Sequence, residues 1–499
     1  MYSLDFGLIA SSFQSLLDPF TITMLFLGVL GGLVVGVMPG LGPTLAVALL
    51  IPLTYHLTPG EAFSILTAVY VGGMSGGAVS AILLRLPGTP ASMATLLDGF
   101  PLAQQGQAAR AIGNAAVASC VGTCIGGIFL VIGAPLLAEF ALKFHFAEYT
   151  AVCIFAMTAV SAVTGRSVNK GLTAAMLGML LATVGITSED GLPRFTFGME
   201  ALESGFPLLP ALIGLFAVSQ LMKLKTNQPP SPEPVSVEEA KDKTKFLPSF
   251  KDIFANKLNY ARSGVIGTVV GVMPALGGGP AAMIAYAQAR AASKAPTKFG
   301  KGSVEGLIAS ETANNATIGG GLIIALTLGI PGDPTSAVLL GGLMLHGLEP
   351  GPFLFLNNAD VLYAIYFALF VSSLLMVLIL MTGGRLLVKI VDVPKYVLNP
   401  VVLLMCVFGV YSLNYSTTSI LIMGSFGILG YVLDKLNYPL PPLVLGLIIG
   451  PLLEGNLRKM ISTEHSLMPL FTNPIALGFI VLSVISLIYA QRLRSKVSG

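Results

Sequence analysis

The sequence predicts an all-α polytopic membrane protein built from two related halves, and three observations lead to this class. Of the 499 residues, 54% are hydrophobic and 10% are charged, whereas a soluble domain carries about 25% charged residues. The mean hydropathy is +0.83, and a bilayer core is crossed by about 20 apolar residues, so this chain can supply about a dozen spans. Glycine- and proline-rich motifs also recur in both halves. This composition excludes a cytosolic enzyme, and a net charge of +3 gives no indication of nucleic-acid binding.

Two pairs of motifs carry the internal repeat. GVMPGLG at 36–42 is matched 235 positions later by GVMPALG at 271–277, and PGTPAS at 87–92 is matched 244 positions later by PGDPTS at 331–336. Motifs that recur in the same order indicate a structural repeat. We therefore predict a first membrane repeat at 1–222, a cytoplasmic linker at 223–257 that is rich in proline and charge, and a second membrane repeat at 258–499.

The distribution of lysine and arginine predicts the orientation of the halves. The basic linker belongs in the cytoplasm by the positive-inside rule, and the apolar arms at 263–273 and 280–289 lead from it into a second basic stretch that begins at Arg290. Such short arms predict a re-entrant hairpin that is entered from the cytoplasm. The matching unit, from about Thr21 to Tyr55, has flanks without Lys or Arg and predicts a hairpin entered from outside. The two repeats are therefore predicted to have inverted topology.

The remaining apolar stretches predict about 11 crossings plus the two hairpins, with a periplasmic N-terminus and a cytoplasmic C-terminus. The predicted spans are 62–98, 111–138, 147–164, 171–187, 204–222, 305–345, 361–381, 399–414, 416–433, 439–454 and 474–490. As straight helices, the units 62–97 and 305–345 would measure roughly 54 and 60 Å at 1.5 Å per residue. Both exceed the thickness of the core, so each unit must break, tilt or fold back and is expected to contain a discontinuous helix.

The glycine- and proline-rich breaks are the candidate binding elements. A break frees backbone N–H and C=O groups that lipid cannot satisfy. It also directs the ends of helices at the gap: helix N-termini favour anions, whereas helix C-termini and free carbonyls favour cations. Four breaks therefore predict one central site for an anionic substrate and a coupling cation; the alternative is that Gly and Pro are simply common in membrane helices. The predicted substrate-binding residues are Pro39, Gly40, Gly42, Arg85, Pro87, Gly88, Thr89, Ser92, Pro274, Gly277, Pro331, Gly332 and Ser336.

Ionisable and amide residues at membrane depth predict the coupling site, because such groups are costly unless they are partnered or solvated. Glu311, Asn314 and Asn315 lie at i, i+3 and i+4 and share a helix face, where their oxygens could bind a hard cation such as Na⁺. The alternative is an internal hydrogen-bond network. Asp333 replaces Thr89 between the repeats and is predicted to coordinate a cation or relay a proton. We therefore predict cation coupling through Glu311, Asn314, Asn315 and Asp333, with Na⁺ at Glu311, Asn315 and Asp333, and no cofactor beyond the coupling ion, Na⁺ or H⁺.

The remaining features of the sequence are Arg85, the histidines, the cysteines and the small-residue motifs. Arg85 is expected to be embedded, where its guanidinium could pair with a substrate carboxylate, although a snorkelling arginine is an equal alternative. The four histidines are isolated and the four cysteines lie in apolar stretches, so no catalytic site is predicted. Gly122–Gly126 and Gly267–Gly271 have the GxxxG spacing that lets helices approach closely.

A family resemblance is carried by four strings: GVMPGLGPTLAVALLIPLT (36–54), GGMSGGAVSAILLRLPGTPAS (72–92), GVMPALGGGP (271–280) and ASETANNATIGGGLIIALTLGIPGDPTSAVLLGGL (309–343). They resemble the large membrane subunit, TctA, of the bacterial tripartite tricarboxylate transporter family. The resemblance implies a secondary transporter of the inner membrane that works with a small TctB-like membrane subunit and a periplasmic TctC-like solute-binding protein.

The resemblance also implies the substrate class and its driving force. Family substrates are carboxylates such as citrate, taken up with Na⁺ or H⁺, so we expect carboxylate import by cation symport and an alternating-access, elevator-type movement. A channel or pore component without ion coupling is the alternative.

Overall fold

The chain is almost entirely helical in the computed structural model. The model describes residue 14 and residues 18–38, 40–163, 167–187, 191–223, 248, 250–274, 276–391 and 395–495. Within these ranges one short antiparallel sheet occurs, in which β1 (Gly185–Ile186) pairs with β2 (Pro193–Arg194). The all-α class is therefore confirmed. Most of the predicted linker, 224–247 and 249, lies outside the described residues, as does Pro39.

The helices of the first half begin after Asp18, whose side chain caps the first of them. They are α1 (Pro19–Val37), α2 (Gly42–Thr54), α3 (Pro59–Leu84), α4 (Met93–Gln104, preceded by the 3-10 turn Pro90–Ser92), α5 (Ala108–Ala141), α6 (Phe146–Val163), α7 (Val168–Ala182), α8 (Leu208–Ile213) and α9 (Ser219–Lys223). A π-helical segment, Gly214–Val218, joins α8 to α9, and a 3-10 turn at Glu200–Leu202 precedes α8.

The described part of the second half contains twelve helices, five of which match the first five helices of the first half in order and approximate length. The twelve are α10 (Phe250–Ala255), α11 (Lys257–Val272), α12 (Gly278–Ala292), α13 (Val304–Leu328), α14 (Pro334–Leu345), α15 (Pro352–Asn357), α16 (Ala359–Val391), α17 (Lys395–Asn414), α18 (Thr417–Lys435), α19 (Leu440–Glu464), α20 (Pro469–Thr472) and α21 (Pro474–Ser495). A 3-10 turn at Pro296–Lys298 lies between α12 and α13.

Seven helices of the described part are long and apolar enough to cross a membrane. They are α1, α3, α5, α16, α18, α19 and α21, and several shorter apolar helices lie among them. The polytopic membrane class is supported, whereas the number of crossings stays a prediction. The arms of the first predicted hairpin are α1 and α2, of 19 and 13 residues, and those of the second are α11 and α12, of 16 and 15 residues. Helix α1 is therefore longer than the short arm that a re-entrant hairpin predicts.

Both overlong predicted units break at their proline-containing motifs. The first unit ends its α3 segment at Leu84, where Arg85 adopts a left-handed φ of 58°, and Pro87 follows. The second ends α13 at Leu328, where Gly329 adopts a φ of 69°, and Pro331 follows. A left-handed residue closes a helix, and a nearby proline prevents it from resuming. The discontinuous helices that the sequence predicts are therefore present in both halves.

The two halves repeat the same backbone contact at matched positions. A methyl group built on Gly32 of α1 would lie 2.3 Å from the Val69 carbonyl oxygen of α3. One built on Gly267 of α11 would lie 2.2 Å from the Ala313 carbonyl oxygen of α13. Gly267 follows Gly32 by 235 residues and Ala313 follows Val69 by 244, the offsets of the sequence motifs. The internal repeat is thus also a repeat of packing, while the opposite orientation of the halves stays a prediction.

The broken helices pack together in one group of elements. In that group α1 packs along α3, α11 and α5 pack along α13, and α16 covers α3 and α5. A second set packs beside it: α19 lies against α6 and α7, α21 lies against α6, and α18 lies against the π-helical segment. The two sets meet where α2 and α14 contact α8, and this junction positions the candidate site.

Candidate functional site

All four breaks meet at one cavity of about 530 Å³. It lies at the junction of the two sets of helices, because Phe216, Gln220 and Pro441 of the second set complete its lining. Residues from both hairpin tips and both helix breaks form the rest, together with Met74 of α3. Seven of the residues predicted from the sequence line the cavity: Gly40, Gly42, Pro87, Gly88, Thr89, Gly277 and Asp333.

Three helices and one 3-10 turn begin at this cavity. The first residues of α2 (Gly42, Pro43) and of α12 (Gly278, Gly279) line it, as do the starts of the Pro90–Ser92 turn that leads into α4 and of α14. No side chain caps the N-terminus of α2 or of α12. A helix N-terminus carries the equivalent of about half a positive charge on unpaired N–H groups. The cavity is therefore suited to an anion.

The side chains of the cavity are mostly apolar or small. Its polar side chains are Thr44, Thr89, Gln220, Asp333 and Thr335, and none of the described lining residues is Lys, Arg or His. The Thr44 and Thr335 hydroxyl oxygens lie 3.0 Å apart and share a hydrogen bond that joins the two halves. The electropositive groups of the described lining are therefore backbone amides rather than cationic side chains.

Asp333 is the only ionisable residue in the described lining. It caps α14, since its Oδ1 accepts a hydrogen bond of 2.7 Å from the Ser336 amide, and its Oδ2 accepts one from the Tyr70 hydroxyl. At the matched break, the Thr89 hydroxyl caps the 3-10 turn by accepting a 3.3 Å bond from the Ser92 amide. The two breaks thus share one capping geometry, and only the second adds a charge.

Glu311 lies in a separate buried network of neutral groups. Its carboxyl accepts hydrogen bonds from the Thr95 hydroxyl and, at 3.1 Å, from the Ser119 hydroxyl. The Asn315 amide donates to Ser119 at 2.9 Å and accepts from the Ser75 hydroxyl at 2.9 Å. No group of three or more His, Cys, Asp or Glu side chains that could hold a metal ion occurs in the described part of the chain. The oxygens around Glu311 could serve a hard cation or a proton.

The structure divides the predicted coupling residues among three environments. Glu311 and Asn315 share the network above, whereas Asp333 lies at the cavity with other partners. Asn314 is fully buried beside Glu311, but neither atom of its amide has a partner with hydrogen-bond geometry. Its Oδ1 would lie 2.1 Å from a methyl group built on Gly278, a cavity residue. Asn314 therefore stands directly behind the cavity wall.

Arg85 does not join the other predicted substrate-binding residues. It is exposed, its left-handed backbone ends α3, and its guanidinium carbon lies 5.6 Å from the centre of the Phe100 ring. The structure thus places Arg85 beside an aromatic ring and outside the described cavity lining, while its depth in the membrane stays a prediction.

Five further predicted residues lie at the breaks without lining the cavity. Ser92 and Ser336 are buried on the inner side of their capping boxes, and Gly332 packs where a methyl group would lie 2.5 Å from the Gly321 Cα. Pro274 and Pro331 are likewise absent from the lining. These residues shape the breaks.

Several residues at the site were not predicted from the sequence. Thr335 stands within the repeated motif at 331–336, and Thr44 follows the motif at 36–42 by two residues, so both could have been found by examining the motifs and their flanks. Tyr70 lies in an unbroken apolar stretch, and its role becomes visible only through its contact with Asp333. Phe216 lies in the π-helical segment and Gln220 just after it, a local geometry that is frequent at functional sites but has no motif here.

Comparisons with known proteins agree with the family resemblance. The model of a family described as "Tripartite tricarboxylate transporter TctA family" matches residues 22–445. A protein of Agrobacterium vitis described as "Uncharacterized 52.8 kDa protein in TAR-I ttuC' 3'region" is 34% identical over 487 residues, which cover 97% of this chain and 96% of that protein. A second A. vitis protein, "Uncharacterized protein in TAR-II ttuC' 3'region", is 34% identical over 233 residues, which cover 46% of this chain and 96% of that protein. No solved structure matches.

Proposed function

Because the chain belongs to the tripartite tricarboxylate transporter TctA family, we propose that it is the large membrane subunit of a transporter that imports carboxylates by cation symport. Membership of this family supports a role in transport. The finer statements below, on substrate, coupling ion, partners and movement, are our proposals.

The observation that carries the proposal is the convergence of three helix N-termini and one 3-10 turn on one cavity of about 530 Å³. Dipole ends and free amides favour an anionic group, and a carboxylate is the anion that the family name suggests. Backbone amides hold their positions because each belongs to a packed helix. A carboxylate can thus be bound deep in the protein without an arginine or lysine.

Cation coupling is proposed from the acidic groups. Asp333 faces the cavity, so an anionic substrate would meet a negative charge unless a cation or proton neutralised it. Glu311 is fully buried, and its hydrogen-bond partners are neutral. We assign the coupling ion, Na⁺ or H⁺, to these two groups, with Asn315 as a further ligand at Glu311.

The proposed movement follows from the position of the cavity between two sets of helices. Three residues of the set that contains α8, α9 and α19 close a cavity whose other walls belong to the broken helices. If the helices that contain the breaks moved past Phe216, Gln220 and Pro441, the cavity would open first to one side of the membrane and then to the other. This is an elevator-type movement. We propose inverted repeats in the inner membrane, an outside N-terminus and an inside C-terminus, a TctB-like membrane partner, and a TctC-like binding protein that delivers the substrate.

The experiment is uptake of a radiolabelled carboxylate into proteoliposomes that contain the full chain and both partner subunits. Na⁺ and H⁺ gradients are imposed one at a time. We expect uptake that requires the binding protein and responds to one gradient. Uptake that is indifferent to both gradients would reject symport, and ionic conductance without the binding protein would favour a channel. Cysteine accessibility labelling near both termini would test the topology.

A further inference from the structure

The polar side chains of the cavity differ in whether they already have a partner within the protein. Thr44 and Thr335 hydrogen bond to each other, while Thr89 caps the 3-10 turn and Asp333 caps α14. Gln220 is the remaining polar side chain of the described lining, and its amide makes no hydrogen bond to any described residue. A primary amide offers two donors at Nε2 and an acceptor at Oε1. Gln220 therefore has its full hydrogen-bonding capacity free for a ligand.

The backbone that carries Gln220 is packed tightly against α18. A methyl group built on Gly214 would lie 2.3 Å from the Met423 carbonyl oxygen of α18. One built on Gly430 of α18 would lie 3.0 Å from the Cβ of Ser219, the residue before Gln220. Backbones in such close contact have little room to shift. The amide is thus presented to the cavity from a rigid element, which is the arrangement that specific recognition requires.

Gln220 lies on a different wall of the cavity from the helix starts that are proposed to bind a carboxylate. The uncapped starts of α2 and α12 belong to the set of helices that contains the breaks, whereas Gln220 belongs to the set that covers the cavity. A carboxylate on those backbone amides leaves the rest of the ligand to extend toward the cover. Leu41, Met74 and Phe216 offer only apolar contact to the hydrocarbon part of such a ligand.

We propose that Gln220 is a specificity-determining residue of this cavity. Its amide binds a second polar group of the ligand, either a hydroxyl or a further carboxylate. Acids that carry such a group are therefore preferred to acids that end in a plain hydrocarbon chain. The assignment rests on the proposed function, and it names the residue of that site that recognises the far end of the substrate.

The preference follows from what a ligand does to the amide when it fills the cavity. A methyl group placed against Gln220 displaces water from the amide and replaces none of its hydrogen bonds. A hydroxyl or a carboxylate at the same place replaces them. A site that hydrogen bonds to its ligand therefore rejects an analogue without the polar group more strongly than an apolar wall would.

The test compares butyrate, 4-hydroxybutyrate and succinate, which share a four-carbon chain and differ at one end only. Tricarballylate is added as an acid with a third carboxylate. Affinities for the full chain in lipid nanodiscs are measured by calorimetry in sodium buffer, and KM values for uptake into the complete proteoliposomes replace them where binding to the chain alone is too weak to titrate. We expect each acid with a second polar group to bind at least about tenfold more tightly than butyrate, a difference of about 1.4 kcal/mol.

Two substitutions that keep the size of the side chain separate recognition from a structural role. Gln220→Met removes every hydrogen-bonding atom, so all preferences over butyrate should fall below about twofold. Gln220→Glu removes the donors and adds a negative charge, so succinate binding should fall at least about tenfold, whereas 4-hydroxybutyrate can donate its hydroxyl to the new carboxylate and should keep its preference. A purely structural role would weaken all four acids equally. The same substitutions at Gln288, an exposed glutamine of α12 outside the described lining, are the matched controls and should change no preference.

The outcomes separate this assignment from the proposed function. Butyrate binding as tight as that of the other acids, or a preference that persists in the folded Gln220→Met variant, would overturn the role of Gln220 and leave carboxylate transport intact. If none of the four acids binds to the folded chain and none is taken up by the complete proteoliposomes, both the assignment and the proposed function fail.

Discussion

The Tyr70 hydroxyl in the first half donates a hydrogen bond to the Asp333 carboxylate in the second half. Tyr70 lies in the middle of α3 and is fully buried, while Asp333 begins the second part of a broken helix. This contact joins the first segment of the broken helix in one repeat to the break of the other. The only ionisable group in the described lining is held in place by it.

Replacing Tyr70 tests this contact. Tyr70→Phe leaves a buried carboxylate with one donor fewer, so we expect a loss of about 1–3 kcal/mol in the free energy of unfolding and slower carboxylate uptake. Thermal unfolding in detergent and proteoliposome uptake measure the two effects. Tyr366→Phe is the control, because the buried Tyr366 hydroxyl has no hydrogen-bond partner and its removal should cost nothing. Equal behaviour of the two variants would mean that the contact is unimportant.

Removing the charge of Glu311 tests its proposed role as a coupling group. Glu311→Gln keeps the size of the side chain and an acceptor for Thr95, so the protein should fold while the stimulation of uptake by a cation gradient falls at least about tenfold, equivalent to 1.4 kcal/mol. Glu148→Gln is the matched control, since Glu148 is also buried but bonds to Asn473 and the His145 amide. A retained gradient response in Glu311→Gln would remove this residue from coupling.

A methyl group at Gly319 tests the close packing of the repeats. It would lie 2.1 Å from the Gly126 carbonyl oxygen, and backbone cannot move aside as a side chain does. We expect Gly319→Ala to cost about 3 kcal/mol or more through overpacking and to lower the thermal midpoint. Gly31→Ala is the control, because nothing lies within 4 Å of its added methyl group; there the helix should gain about 0.5–1 kcal/mol. Similar midpoints for both variants would contradict the packing described for α5 and α13.

Arg85 offers a test in which the structure and the sequence prediction disagree. Since Arg85 is exposed and lies over Phe100, Arg85→Ala should change the substrate affinity less than about twofold and stability by at most about 1 kcal/mol. A residue that paired with the substrate carboxylate would instead cost at least about tenfold in affinity, or 1.4 kcal/mol. Calorimetric titration of the variant with succinate decides between the two.

The sequence predicted the breaks because proline and glycine act locally. Pro87 and Pro331 stop a helix wherever the chain carries them, and the two motif offsets identified related segments before any coordinates. The convergence of the breaks also followed, because unsatisfied backbone must be buried together when no lipid can satisfy it. This local chemistry was sufficient to identify seven of the residues that line the cavity.

The remaining features depend on contacts between distant segments. The position of Arg85 outside the cavity lining could not be predicted, because its left-handed conformation is uncommon for a residue with a side chain and has no signature in the neighbouring sequence. Asn314 and Asn315 are adjacent in sequence, yet one joins the Glu311 network and the other faces Gly278. Helical spacing predicts a shared face, but which side of that face meets a cavity is set by the partner helices.

The π-helical turn at 214–218 changes the direction in which the side chains of the following helix point. A π turn accommodates one residue more than an α turn, so each side chain after it is rotated by about 100° from where a regular helix would put it. Gln220, which follows the turn, lines the cavity in this rotated position. Deletion of Ala217 is expected to restore α-helical spacing and to rotate Gln220 by about 100° away from the cavity, so a one-residue change in length would change the lining of the site without substituting any residue in it.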